Sequence, residues 1–262
     1  MVTTMEINRQ NALEHFADYV KDYNINDEKI KLKIKHTYKV AALCQEIAES
    51  IQLSQPDADL AWLIGLLHDI GRFEQLRRFH TFIDSQSIDH AAFGADLLFK
   101  DGLIRSFVED SANDALLENA IRTHNAFRLP SDFDERTLLF CNIIRDADKI
   151  DIMRANVETS LEEIYNVTTE ELRNDMISPE VLNSFYKEHA TLRKYKKTSI
   201  DNLAGLISFV FELVYPYSVR EADKQGFIYK MMDFQSDNPK TREQFQIIKK
   251  CVHSYLDKRL TF

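Results

Sequence analysis

The sequence predicts an all-α fold, and three observations carry that expectation. Glycine and proline are scarce, with 6 Gly and 5 Pro in 262 residues, together about 4% of the chain against roughly 12% in average usage. A fold of many tight turns needs those residues at special backbone angles, so a β-sandwich or barrel is disfavoured. Apolar residues recur at spacings near 3.6 along most of the chain. Finally, 44% hydrophobic beside 29% charged residues is the balance of a soluble chain that forms a core rather than a disordered one.

The elements follow in order. Asn26-Asp27-Glu28 places acids at the positive end of a helix, and Ile30, Ile34, Val40, Leu43, Ile47 and Ile51 mark its apolar face to about Gln52, with His36 along it. Ser54-Gln55-Pro56 starts the next helix, with proline tolerated in the first turn. Asp59–Ile70 is apolar nearly all round, which predicts a central, buried helix, and Gly71 reads as its left-handed cap. Residues Arg72–Ile88 read as a basic, aromatic connection. Further helices are expected from Asp89, over about Asp110–His124, and over Asp134–Asn156 after the break at Pro130-Ser131-Asp132. The pattern weakens over Val157–Lys197, where Thr168-Thr-Glu-Glu and Ser178-Pro-Glu are helix starts. Two last helices cover about Ile200–Tyr215 and Thr241–Leu260. No linker rich in Gly, Ser or Pro divides the chain. The expectation is one all-helical domain with a core over about 26–157 and a C-terminal helical extension over about 158–262.

Charge and cysteine content narrow the function classes. With 33 Lys and Arg against 42 Asp and Glu, the net charge is −9, a poor match for a nucleic-acid backbone or an anionic membrane. Lys194-Tyr-Lys-Lys is too small a basic run to be a nucleic-acid footprint. Cys44, Cys141 and Cys251 form no CxxC pair, and Cys44 and Cys141 read as buried reduced thiols. The N-terminus lacks the basic-then-apolar pattern of a signal peptide, and no run approaches a membrane span, so a cytoplasmic protein is expected. The apolar C-terminal helix is able to pack internally or against another copy, which leaves a homo-oligomer open.

The chemistry centres on His68-Asp69, at the end of the apolar helix. Burying ionisable groups without a partner is costly, and a divalent metal is a suitable partner for neutral imidazole and carboxylate. The plain alternative is a helix-terminal pair in which Asp69 merely holds the imidazole. His36, His90, His124 and either Asp146 or Asp148 stand on other expected helices, and a bundle builds a metal site from such inward side chains. Arg72, Arg77, Arg78 and Lys149 are candidate clamps on phosphate oxygens, with a solvated basic turn as the alternative for Arg77-Arg78. Glu74, about a turn beyond His68-Asp69, is a candidate general base or water-orienting group. His80 is a weaker substrate-binding candidate, and His15, His189 and His253 read as structural or exposed.

The set His36…His68-Asp69…Asp148 resembles the H…HD…D signature of the HD-domain metal-dependent phosphohydrolases. Leu66–Arg72 is similar to that family's hydrophobic-HD-Ile-Gly segment, and Ala147-Asp148-Lys149 to its closing Ala-Asp element. The resemblance covers roughly Ile30–Arg154 and implies an all-α HD-domain helical bundle with His36, His68, Asp69 and Asp148 as ligands. It also favours Asp148 over Asp146. The two lie about 200° apart on a helix, which leaves Asp146 to orient a ligand from behind. Asp89–Leu98 and Ile121–His124 resemble the histidine regions of the HD-GYP phosphodiesterases, which adds His90 and His124 and implies two ions with Asp69 between them. Asn125 replaces the second histidine of that family's pair, and no Gly-Tyr-Pro follows. The resemblance implies one or two divalent transition metal ions (Mn, Fe, Zn, Ni and Co are all compatible) and hydrolysis of a phosphate ester or anhydride in a nucleotide or small phosphorylated metabolite. Two other classes share these ligands: HD-fold diiron oxygenases, and a metal-bearing ligand sensor without catalysis.

Overall fold

The computed structural model describes residues 7–159 and 167–261. Every regular element among them is helical. The N-terminal segment read for a leader lies outside the described residues. The chain packs as two compact units, 1–148 and 149–262, so the division falls after Asp148.

The first unit contains α1 (Arg9–Lys21), α2 (Glu28–Ser50), α3 (Gln55–Leu67), α4 (Ile70–Phe79), α5 (His90–Ala95), α6 (Ile104–Phe107), α7 (Asp114–Thr123) and the start of α8 (Glu135–Glu158). The expected starts hold: Asp27 caps α2 by accepting from the Lys29 N–H, and Ser54 caps α3 by accepting from the Asp57 N–H. Helix α3 is buried on every face from Leu60 to Leu67, as its unbroken apolar run requires, and α2 packs along it.

Two sequence expectations are corrected here. Gly71 does not cap a helix: it lies in the first turn of α4, and Arg72–Phe79 is helix rather than connection. Ile70, Phe73 and Leu76 face the core while Arg77 and Arg78 face out, an amphipathic pattern hidden by the aromatic and basic residues around it. Gly71 serves close packing instead. A Cβ there would lie 2.5 Å from the His90 carbonyl oxygen and 2.7 Å from the Gly94 nitrogen, so its absence lets α4 and α5 touch. Helix α1, which sequence reasoning passed over, lays Phe16 and Tyr19 edge-on against Phe73.

The second unit holds the end of α8, then α9 (Thr169–Asn174), α10 (Pro179–Tyr186), α11 (Ser199–Ile207), α12 (Pro216–Gln225), α13 (Phe227–Met232) and α14 (Pro239–Leu260). Thr168 and Glu171 form the expected capping box, and Pro179 takes the first position of α10. The helix expected over Ile200–Tyr215 ends at Ile207 and tightens into a 3₁₀ segment to Glu212. At that joint the Ser208 hydroxyl donates to the Gly205 carbonyl at 2.6 Å and accepts from the Thr191 N–H at 2.9 Å. Buried Asp201 ties the unit together, accepting from the Ser178 N–H and hydroxyl and from the N–H groups of Lys197 and Thr198 at 2.7–3.0 Å. Among the described residues no helix is long and apolar enough to cross a membrane.

Candidate metal centre

Helices α2, α3, α5, α7 and α8 of the first unit bring six predicted side chains together. On the first side, Gly65 permits α2 and α3 to approach so closely that a Cβ would fall 2.6 Å from the Ala41 Cα. That contact sets His36 beside His68, with their Nε2 atoms 3.3 Å apart. The Asp148 Oδ1 from α8 lies 3.1 Å from His36 Nε2 and 3.7 Å from His68 Nε2. Asp69, the residue between α3 and α4, places Oδ2 3.6 Å from both nitrogens.

The other oxygen of Asp69 faces a second pair. His90 opens α5 and His124 closes α7, and their Nε2 atoms are 3.1 Å apart. Asp69 Oδ1 is 3.5 Å from His90 Nε2 and 3.9 Å from His124 Nε2. Arg145 from α8 fixes the end of α7 by donating to the carbonyls of Ala126 and, at 3.4 Å, His124. Thus one carboxylate stands between two imidazole pairs, one oxygen toward each.

The outward nitrogens decide the tautomers. His68 Nδ1 lies 2.7 Å from the Gly65 carbonyl, and His124 Nδ1 lies 2.7 Å from the Ile121 carbonyl. His90 Nδ1 lies 2.8 Å from Asp84 Oδ2. Each of these oxygens only accepts, so each Nδ1 carries the proton and each Nε2 presents a lone pair. His90 and His124 therefore point two lone pairs at one another. Neither imidazole protonates near neutrality: burial, reinforced by Arg72, pushes His90 down to about 4, and burial, reinforced by His68, pushes His124 down to about 4. Two neutral lone pairs at this separation lack the charge that would draw them together, and a cation supplies it.

The spacing suits such a cation. Two nitrogens each ~2.1 Å from one ion lie about 3.0 Å apart at a right angle and about 3.4 Å apart at a tetrahedral one, which brackets the 3.1 and 3.3 Å of the two pairs. Two ligand triads, His36–His68–Asp69 and Asp69–His90–His124, each keep their ligand atoms within 4.8 Å of one another. The donor set of imidazole and carboxylate fits a borderline divalent ion. Burial opposes ionisation of Asp69, but Lys33, His68 and Arg72 more than offset it and hold the carboxyl well below its ordinary range. Burial likewise opposes ionisation of Asp148, and His36 and His68 outweigh it.

The surrounding residues divide sharply. Lys33 donates to Asp69 Oδ2 at 2.7 Å, and Asp84 receives both the His90 Nδ1–H and Arg72 Nη1 at 2.9 Å; sequence reasoning missed both residues. Lys33 is one of several lysines in α2, and only its one-turn offset from His36 could have singled it out. Arg72 sits at the site, with Nε 3.6 Å from Asp69 Oδ1. Arg77 and Arg78 instead pair with Glu74, which also receives the Tyr23 hydroxyl at 3.3 Å. Burial would raise the Glu74 carboxyl, but the two arginines bring it below its usual value. Among the described residues, Glu74, Arg77 and Arg78 bond to one another and to Tyr23, not to the clustered imidazoles. Asp146 is fully buried on α8, and Lys149, also buried, belongs to the second unit. Asn125 donates to Asp89, the cap of α5, and His80 is an exposed left-handed residue closing α4. His15, His189 and His253 are exposed.

Residues 34–153 match the family model described as HD domain. No curated protein and no solved structure matches the chain.

Proposed function

We propose that this chain, whose residues 34–153 match the HD domain model, is a metal-dependent hydrolase of a phosphate ester or anhydride in a nucleotide or another small phosphorylated metabolite. The observation that carries the proposal is the facing of the His90 and His124 lone pairs across 3.1 Å, with Asp69 reaching both this pair and His36–His68. His36, His68, Asp69 and Asp148 would hold one divalent ion, and Asp69, His90 and His124 a second. Bound there, such an ion supplies Lewis acidity toward a phosphoryl oxygen and acidifies water toward a pKa of about 7.

The chain's own residues do the rest. The Gly65 and Ile121 carbonyls fix the His68 and His124 tautomers, so the ligand lone pairs are set before anything binds. Asp84 does the same for His90 and anchors Arg72. Arg72 offers the phosphoryl group a cation beside Asp69. Glu74 is committed to Arg77 and Arg78 and takes no proton-transfer role.

The test is metal analysis joined to turnover. The purified protein with Mn²⁺ should release phosphate from nucleotides or hydrolyse a nitrophenyl phosphate ester without consuming oxygen. Asp69→Ala and His68→Ala should lose both bound metal and turnover while remaining helical by circular dichroism. Undiminished hydrolysis by either variant refutes the assignment. Oxygen-dependent turnover with an iron pair would replace it with an oxygenase.

A further inference from the structure

We propose that Lys33 is the seat of the substrate's phosphoryl group: its ammonium guards Asp69 Oδ2 in the resting protein and transfers to a phosphoryl oxygen when metal and substrate are bound, with Arg72 Nε as the second donor. The inference rests on the hydrolase reading above and deepens it.

Four observations converge. Lys33 lies one helical turn before His36, on the same face of α2, and its side chain is only 16% exposed. Its ammonium has three N–H donors but, among the described residues, one hydrogen-bonding partner, Asp69 Oδ2 at 2.7 Å. Arg72 spends Nη1 on Gln75, the Phe82 carbonyl and Asp84, while its Nε–H is buried, has no hydrogen-bond acceptor among the described residues, and lies 3.6 Å from Asp69 Oδ1. Both cations rest on the ring of Phe82, at 5.5 Å and 5.7 Å from its centre. So two positive groups share one aromatic support beside one carboxylate, and both keep donors unspent.

The charge balance explains why an anion should enter. Lys33 is paired with Asp69, and Arg72 with Asp84. Each divalent ion held there would add two positive charges beside these pairs. Asp69 Oδ2, drawn upon by the ion, then needs its ammonium less. A lysine suits this exchange because it is a compact charge on a flexible stem, whereas Arg72 is pinned by its Nη1 bonds. A phosphoryl group brings several acceptor oxygens to the freed ammonium and to the unmet Arg72 Nε–H.

The test reads binding rather than turnover. Wild type, K33M and K33R are loaded with Mn²⁺, their metal content is measured, and inorganic phosphate is titrated in by calorimetry. K33M should bind phosphate at least tenfold more weakly with undiminished Mn²⁺ content, and K33R should recover most of the loss. Phosphate affinity of K33M within twofold of wild type overturns the seat and leaves the hydrolase reading intact. A fall in the metal content of K33M overturns it as well, since removing a competing cation should not weaken cation binding. Wild-type protein that holds Mn²⁺ yet neither binds phosphate nor hydrolyses an ester overturns both.

Discussion

Asp84 shows how far single residues at this centre depend on partners that no motif contains. Its carboxylate accepts from His90 Nδ1, Arg72 and Gln75 at 2.8–3.0 Å, so one acid fixes a ligand's tautomer and a cation's position. Asp84→Asn keeps the shape but removes the charge. Loss of such a partner behind a metal ligand typically costs 10–100-fold in metal affinity. The variant should therefore bind the His90–His124 ion about that much more weakly while His36 and His68 keep theirs, which a metal titration resolves as two separated steps. The candidate ligands themselves were legible: adjacent histidine and aspartate at the end of an apolar helix have few other uses. Lys33 and Asp84 were not, because nothing local distinguishes them from the other lysines of α2 or from nearby Asp89. Their meaning comes from what faces them across 36 and 6 residues of chain. Arg77 and Arg78 read equally as phosphate clamps or as a solvated basic pair, and Glu74 holds both from within the same helix.

At the scale of elements, glycines rather than caps position the site. Gly71 and Gly94 let α4 touch α5, which carries Asp69 to His90. A Cβ at residue 71 would press on the His90 carbonyl and on the Gly94 backbone, neither of which is a flexible side-chain end. Gly71→Ala should thus cost about 1–3 kcal/mol by overpacking, measured by denaturant unfolding, and should also reduce the occupancy of the His90–His124 pair. Ala in place of an ordinary first-turn glycine would do the reverse, stabilising the helix. The sequence made Gly71 look like a terminator because it follows an apolar run, and the approach of a second helix is invisible along the chain. The second unit offers a parallel case in Asp201, whose two oxygens satisfy four donors. Asp201→Ala strands those buried donors, and a loss of about 2–4 kcal/mol in unfolding free energy is expected. The helix starts at Ser54, Thr168 and Ser178 could be read in advance, since capping residues act within a few positions of themselves.

For the whole molecule, the centre links folding to protons and to metal. The folded chain keeps His90 and His124 neutral down to about 4, whereas unfolded histidine protonates near 6.5. As pH falls through that window the unfolded state binds more protons than the folded one, so stability falls with it; the dependence is absent above 6.5 and complete below 4. A divalent ion held as proposed would bind only the folded arrangement, and at a hundredfold excess over its dissociation constant it would add about 2.7 kcal/mol. The two effects act on the same lone pairs and should be seen together. Chelator-treated protein should melt lower than Mn²⁺-loaded protein at neutral pH, and its melting temperature should fall from pH 6.5 toward pH 4. The loaded protein should resist that fall until protons displace the ion, which the depressed imidazoles delay to pH values below those of an ordinary histidine site. Asp69→Ala should erase the Mn²⁺-dependent increment. Scanning calorimetry of the four samples checks this, and equal melting of the chelated and loaded wild type across the range would mean that the buried imidazoles hold no ion.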